Sequence, residues 1–349
     1  MRDRYSPLFE LTSARIKDFI REPEAVFWVF AFPVLLAVAL GFAFREKGPD
    51  QIPVGVVSTP ETGAVAGRTL ATLAKSPALL PRSYSAAEGR EALRTGKISL
   101  LVEPGPPVVF RFDETRPDSR IARLEADGVL QQAAGRKDAV TVQSELMTDK
   151  GSRYIDFLIP GLLGMNLMGT GIWSLAFSVV TARNRKILKR LVATPMRRSH
   201  YLFAQILGRL AFLIPEMIVL VGAGWLLFDV GVRGSLLLFV TTCLLGAMTF
   251  CGLGLLIAAR VGTIEGASGL ANLVMLPMWV LSGVFFSSER FPDPMQPFIN
   301  ALPLTALNQA LRGVMVEAST LPQIGTQLAI LAAWGLVSFA VALKIFRWR

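Results

Sequence analysis

Apolar positions along this chain run in blocks rather than in the short alternations of a soluble core. Six blocks, at about 24–44, 154–181, 204–228, 235–259, 264–287 and 323–346, have the length and composition of bilayer-crossing helices, for which roughly 20 apolar residues suffice. The first of them, EAVFWVFAFPVLLAVALGFAF, follows a long polar segment and precedes no small-residue cleavage pattern. It reads as an uncleaved anchor with a kink at Pro33. Ahead of it, 7–21 puts Leu8, Phe9, Leu11, Ile16, Phe19 and Ile20 on one broad helical face and Glu10, Lys17 and Arg21 opposite, the pattern of a helix lying in a membrane interface. The expected fold class is a polytopic α-helical membrane protein with an α/β domain inserted between its first and second spans.

That domain occupies 45–152, where the pattern changes. The segments IPVGVV, KISLLV and PVVFRFD are short, β-branched and bounded by turn residues, and predict strands. TGAVAGRTLATLAK and SAAEGREALRTG predict helices between them, the second opened by a capping box of Ser85 and Glu88. From Pro117 toward Lys150 the pattern is helical, weakened at Gly128 and Gly135. Near the other end of the chain, 288–318 is apolar only in patches and is broken by Pro292, Pro294, Pro297 and Pro303. Its patches are too short to cross, so re-entrant or interfacial helices are expected.

Composition fits this reading, with 52% hydrophobic residues in 349 and a mean hydropathy of +0.49. The net charge of +10 would suggest nucleic acid in a soluble protein, but Lys and Arg also collect on the cytoplasmic side of membrane proteins, and no nucleic-acid partner is inferred. Basic residues gather at Arg2, Arg4, Arg15, Lys17 and Arg21, at Lys344, Arg347 and Arg349, and in the 182–202 loop with its seven Lys or Arg and no acid. The short loops expected on the opposite side carry only Arg233, Arg290 and Arg312. Both termini are therefore expected in the cytoplasm and the α/β domain outside. The single histidine, His200, excludes a His-based metal or catalytic cluster, and Cys243 and Cys251 share one apolar run, where packing accounts for them.

The 182–202 loop has more than charge. Ile187, Leu188, Leu191 and Val192 fall on one helical face, flanked by Arg185, Lys186, Lys189 and Arg190, and Thr194 and Pro195 have the chemistry of an N-cap and first position of a helix entering the third span. A groove on an acidic cytoplasmic partner and a bed of anionic headgroups both suit such an element. The stretch resembles the coupling helix of ABC-2 type transporter permeases. So do YIDFLIPGLLGMNLM (154–168) with its Pro160-Gly161 pair, LPMWVLSGVFFSSERFPDPMQPFINALPLTALNQALRG (276–313) and FIREPEAVFWVFAFPVLL (19–36), each resembling the family's segment at that place. The order and spacing of these motifs cover essentially the whole chain.

The resemblance implies a multi-pass subunit of the plasma (bacterial inner) membrane, coupled through 184–198 to a separate ABC ATPase that holds the ATP and Mg. A second permease half would complete the pathway, and membrane lipids would surround both. It implies an exporter of amphipathic compounds working by alternating access. Within this chain a P-loop would need G-x-x-x-x-G-K-[ST]. The nearest stretch, GREALRTGKIS at 89–99, has the wrong spacing and follows a helix, so this chain is expected to be no enzyme by itself and to carry no cofactor. By the same resemblance Met165, Asn166, Phe177, Asn272, Met275 and Trp279 line the pathway. Intramembrane Glu216, with Pro160 and Gly161, is read as gating or structural, and Gly164, Gly266 and Gly269 as sites of close helix approach. Arg153 and Asp156 read as a surface pair, and Glu265 as helix N-terminus stabilisation. A membrane-bound signal transmitter with an outer sensor domain remains the alternative at this point. An intramembrane enzyme would need clustered acids or histidines.

The charge distribution makes a direct test. Single cysteines placed near residue 5 and residue 347 are expected to react with an impermeant thiol reagent only from the cytoplasmic side, and one near residue 90 only from outside; outside labelling near 347 would require an odd number of spans.

Overall fold

The computed structural model of the chain describes residues 7–44, 51–137, 151, 153–193 and 198–346. The chain forms two compact units, one made of 1–45 with 147–349 and the other of 46–146.

The first unit begins with α1 (Pro7–Ile20). Then comes the first apolar helix, in three pieces: α2 (Pro23–Val26), a π-helical turn over Phe27–Ala31, and α3 (Phe32–Ala43). The wide turn sits just ahead of Pro33, whose missing N–H and ring break regular α-helical bonding. Phe32 N–H reaches back to the Phe27 carbonyl instead.

The second unit is an α/β fold with β1 (Ile52–Val57), α4 (Gly63–Leu73), β2 (Leu79–Tyr84), α5 (Ala86–Arg94), β3 (Leu100–Glu103), β4 (Val109–Phe112) and α6 (Pro117–Ala133). The strand order is β2-β1-β3-β4, parallel except for β4, which runs against β3 with Leu101 opposite Arg111. Val54, Val56, Leu100 and Val102 meet the apolar sides of α4 and α6 on one face, while Val57 and Leu101 meet Ala92 and Leu93 of α5 on the other. The Ser85–Glu88 capping box is formed in both directions. β2 is absent from the reading of the sequence because LLPRSY carries Pro81 in mid-run; as an edge strand it tolerates a residue that cannot donate.

The rest of the first unit is helical: α7 (Tyr154–Asn184), α8 (Ile187–Val192), α9 (Arg198–Ala211), α10 (Leu213–Phe228), α11 (Leu236–Ala258), α12 (Ile264–Leu281), α13 (Gln296–Ala301), α14 (Pro303–Met315) and α15 (Gly325–Ile345). Six helical segments among the described residues are long and apolar enough to cross a bilayer: Pro23–Ala43, Tyr154–Asn184, His200–Phe228, Leu236–Ala258, Ile264–Leu281 and Gly325–Ile345. The chain is a multi-pass membrane protein. The third of these segments is broken at Phe212, because Pro215 has no N–H to offer the Ala211 carbonyl. The fifth ends at Leu281 rather than near 287, since Gly283 adopts a φ of 69°, left-handed backbone that stops a helix. α14, at 13 residues, spans about 20 Å, too short to cross.

The most covered of the six long apolar helices is α7. Leu158, Ile159, Leu162, Leu163, Leu167 and Met168 have no exposed surface, and α7 packs against α3, α10, α11, α12 and α14. α1 lies along α9, with Phe19 against Phe212 at 4.2 Å, and is thus a helix packed on the chain itself. Its Phe9 and Ile20 stay outward, 69% and 61% exposed.

In the α/β unit the antiparallel pair is tied by Arg111 Nε to Glu103 Oε1 at 2.7 Å. The hydrogen bond from Arg111 holds the Glu103 carboxyl below the ordinary glutamate range. A carboxyl with a depressed folded value contributes its stability above the unfolded value, about 4.3, and loses it as pH falls through the folded value. Amide protection of β4, corrected for intrinsic exchange, is expected to drop as pH is lowered below that range, by the equivalent of at most about 1 kcal/mol for so exposed a pair. Arg111→Leu should remove the dependence.

Candidate functional site

The most elaborate polar construction in the membrane unit lies where α7, α12 and α14 meet. When α12 ends at Leu281, just ahead of the turn at Gly283, the carbonyls there lose their helical partners, and in an apolar medium such groups cannot be left to water. Asn308 Nδ2 donates to the Ser282 carbonyl at 2.8 Å. One helical turn along α14, the Arg312 guanidinium donates to the Gly283 carbonyl and, through Nε at 3.3 Å, to the Phe157 carbonyl of α7. Arg312 also sits 3.5 Å from the centre of the Phe157 ring, a cation–π contact. Tyr154 Oη donates to the Phe285 carbonyl at 2.8 Å, so three carbonyls of one turn are held by side chains of two other helices.

The glycines of α7 make this possible. A Cβ on Gly161 would lie 2.6 Å from the Val284 carbonyl oxygen, and one on Gly164 would collide with the Asn308 side chain. Pro160 and Gly161, expected to be gating or structural, therefore sit at the junction. Pro160 withholds an N–H within α7, and Gly161 lets the post-α12 turn close on it. Gly269, by contrast, has open space where a Cβ would go, and Gly266 meets only its own Val261 and Thr263; the expected close approach does not occur there within this chain. Glu265, exposed, lies in the first turn of α12, where Thr263 caps Gly266 N–H. Asp156, read as half of a surface pair, is instead buried. It accepts from Arg153 at 2.8 Å and from Gly151 N–H at 2.8 Å, closing the start of α7.

At the other end of α7, Arg183 donates to the carbonyls of Ala258, Ala259 and Val261, capping α11 as Arg312 caps α12. Between the two ends, Glu216 of α10 pairs with Arg209 of α9 at 2.8 Å, both side chains being 3% exposed or less, and Arg209 also donates to Thr170 of α7. Glu216 is thus a member of a three-helix node and not an isolated carboxylate. Arg15 of α1 donates to Ser174 Oγ at 2.9 Å. The reading of the sequence counted Arg15, Arg183 and Arg312 only as charge and did not single out Arg209. Their signal was position, since Arg209 lies within the third apolar segment and Arg312 opposite its partners only after folding.

The basic loop is compact. α7 ends at Asn184 and Lys186 turns the chain with a φ of 59°. α8 then covers Ile187–Val192, shorter than the 184–198 expected. Leu188 is buried at 1% exposure in a cluster with Leu175, Val179 and Val180 of α7. It is therefore an anchor of α8, a correction to its expected place on an outward stripe. Arg185, Lys186, Ile187, Lys189 and Arg190 are exposed. Leu191 and Val192 belong to α8, but their side chains, like Thr194 and Pro195 altogether, lie outside the described residues.

The six residues expected along a pathway divide. Met275 is fully buried and its methyl group faces Gly169 of α7. Asn166, 8% exposed, donates to the Val29 carbonyl at 3.2 Å, within the π turn of the first helix. Within this chain Met275 packs against α7 and Asn166 satisfies a backbone carbonyl. Met165, Phe177, Asn272 and Trp279 are half-buried. Met165, Gly169, Trp173 and Phe177 recur every four residues along the least covered side of α7, with Trp173 stacked on Phe177 at 4.6 Å. Gly169 and Trp173 were not singled out from sequence. Cys243 and Cys251 are buried and unbridged.

A family model described as "ABC-2 family transporter protein" matches residues 24–344. Among curated proteins the chain is similar to ABC transporter G family member 20 of Dictyostelium discoideum, 30% identical over 178 residues, 51% of this chain and 24% of that protein. It is 26% identical over 206 residues to the linearmycin resistance permease protein LnrN of Bacillus subtilis, 57% of this chain and 50% of that one. It is 22% identical over 205 residues to the daunorubicin resistance ABC transporter permease protein DrrB1 of Streptomyces coeruleorubidus, 57% of this chain and 71% of that one. The matched region is thus no more than half the length of the first two relatives.

The junction of α7, α12 and α14 makes a mutational prediction. Arg312→Met would keep the stem but strand the Gly283 and Phe157 carbonyls, each costing about 1–3 kcal/mol. The purified variant should unfold at a clearly lower temperature than wild type. Gln309→Met, at a half-buried position of the same helix whose side chain makes only a solvent-exposed hydrogen bond to Asn300, should lower the unfolding temperature far less.

Proposed function

This chain belongs to the ABC-2 family of transporter proteins, and from that premise we propose that it is the permease subunit of an ATP-driven exporter of the bacterial inner membrane. A separate ABC ATPase binds the ATP and Mg, and a second permease half, an identical copy or a paralogue, faces this one across the pathway. Both termini and the 185–190 segment lie in the cytoplasm, and the 46–146 unit lies outside. The substrate is an amphipathic compound: a drug, a lipid or a lipid-linked molecule. Two relatives are named for resistance to a compound, which outward transport would confer, and this supports the direction.

The observation that carries the reading is the construction of α8. Arg185, Lys186, Lys189 and Arg190 surround the exposed Ile187, while Leu188 locks the same turn into the base of α7. A loop needed only for topology requires charge and no anchor. An element that must transmit a push requires a rigid seat on the helix that is to move and an outward face for its partner. α7 is the helix that carries, further along, the half-covered stripe of Met165, Trp173 and Phe177 and the junction at Pro160-Gly161. Displacement of α8 by the ATPase would reach both. Met, Trp and Phe on that stripe suit apolar substrates of varied shape, with Asn272 and Trp279 of α12 the nearest polar-tipped candidates on the neighbouring helix.

Burying an apolar side chain contributes roughly 1.5–3 kcal/mol, whereas an exposed rim ion pair typically contributes about 0–1 kcal/mol. Ile187, with the adjoining Leu191 expected on the same face, should therefore dominate docking, and Lys189 and Arg190 should add orientation and encounter rate. Affinity purification of the tagged chain from native membranes is expected to bring a Walker-motif ATPase. Ile187→Asp should lose it while the chain still inserts and keeps its orientation, and Lys189→Gln should weaken it mildly and more at high salt. Wild-type complexes that lack an ATPase, or saturable ATP binding by the chain alone, would overturn the subunit assignment. Undiminished assembly of Ile187→Asp would remove α8 from the interface.

A further inference from the structure

The 46–146 unit has acidic and basic residues in balance, yet a cleft among its described residues is basic. A cavity of about 610 Å3 opens between the end of α5 and the turn from β4 to α6, lined by Arg90, Arg94, Arg116, Asp113, Phe112 and Gly96 among others. The charges inside it do not cancel. Arg94 is matched by Glu91 at 2.7 Å. Arg90 is 4.0 Å from Glu103, but that carboxylate is already gripped by both donors of Arg111. Asp113 is turned to its own loop, accepting from Thr115 N–H at 3.0 Å and from the Thr115 hydroxyl at 2.7 Å.

Arg116 is set by backbone shape. It stands where α6 begins, and its guanidinium lies across Gly96, where a Cβ would meet Nη2 at 3.2 Å and Nη1 at 3.3 Å. Gly96 has a φ of 75°, so no other residue fits that turn without strain. The carbonyls that end α5 accept from the turn that follows. Thr95 N–H bonds to the Glu91 carbonyl, Gly96 N–H to that of Leu93 and Lys97 N–H to that of Ala92. The guanidiniums of Arg90 and Arg94 face solvent, at 64% and 75% exposure, and Phe112 supplies an apolar wall.

We propose that this cleft binds the phosphate group of an anionic small molecule, with Arg90 and Arg116 as the donors and Phe112 against its non-ionic part. A guanidinium presents a planar pair of N–H donors that matches phosphate oxygens, and two such groups lining one cleft, where the one lining acid, Asp113, is engaged within its own loop, leave a net attraction for a polyvalent oxyanion. The phosphate belongs either to a soluble compound or to a lipid headgroup, and the probes separate the two.

Binding is measured by calorimetry on the full-length chain in an uncharged maltoside detergent, with inorganic phosphate as one probe and dihexanoyl phosphatidic acid below its micellar concentration as the other. Saturable binding of at least one probe is expected. It should weaken about tenfold or more in Arg116→Gln and in Arg90→Gln, as loss of a hydrogen bond to a charged group implies. Arg82→Gln, on the β2 edge away from the cleft, should bind as wild type. Arg116→Lys, which keeps the charge without the fork, should fall between wild type and Arg116→Gln. Comparable affinity for the two probes assigns the site to a free phosphate compound, and a clear preference for phosphatidic acid assigns it to a lipid headgroup; either sustains the proposal. Absence of saturable binding of both probes to wild type overturns it. So does binding unaffected by Arg90→Gln and Arg116→Gln, or weakened equally by Arg82→Gln.

Discussion

Inside a bilayer a backbone carbonyl that loses its helical partner has no water to turn to, and the membrane unit of this protein is organised around meeting that demand. The chain interrupts its helices at Gly283 after α12 and at Ala259 after α11, and in both places a guanidinium takes the freed carbonyls: Arg312 at the first and Arg183 at the second. A cation at a helix C-terminus also opposes the negative end of the helix dipole. Each arginine belongs to a different helix from the one it caps, so satisfying the backbone simultaneously fixes how helices are arranged. Removing either would strand several groups at once, which is why these contacts outweigh any single apolar contact nearby.

α7 is the common partner in both constructions. Its 31 residues amount to about 46 Å of helix. It carries Arg183 near one end and, near the other, the Phe157 carbonyl and the glycine steps on which Asn308 and Arg312 rest. Midway, Thr170 receives Arg209, itself held by Glu216. A helix tied at three levels to different neighbours moves as a rod or not at all. In the proposed transport cycle that property lets a force applied at α8 be felt at the turn following α12, and it confines adaptable contacts to the one side of α7 that its neighbours leave half-covered.

The α/β unit follows different physics. It stands on an ordinary sheet core, with valines and leucines of β1 and β3 covered on both faces, and its ion pairs are exposed and individually weak. Its chemistry is concentrated where a positive-φ glycine and an edge strand let three arginines share one cleft.

Helix existence was legible in the sequence because a bilayer imposes length and apolarity on each span, and a run such as 236–258 satisfies those requirements without reference to any other. The Ser85–Glu88 cap and three of the four strands were equally local, and the Pro160-Gly161 pair could be marked as special because proline and glycine are rare and meaningful within a helix. Tertiary structure alone decided the rest. Arg312 and Gly283 are 29 residues apart in the chain, so nothing near Arg312 announces that it will cap the turn after α12. Arg209 and Glu216 are seven residues apart, on either side of the break between α9 and α10, and their burial as a pair with Thr170 depends on α7 lying against them. Leu188 looked like the centre of an outward stripe because periodicity reports that a face is apolar, not which neighbour covers it; the cluster at the base of α7 claimed it. Likewise nothing local to Asn166 and Met275 showed that Val29 and Gly169 would lie against them. Composition and local pattern determine what each segment must be, whereas partnership depends on which groups the fold leaves unsatisfied and which side chains arrive within reach of them.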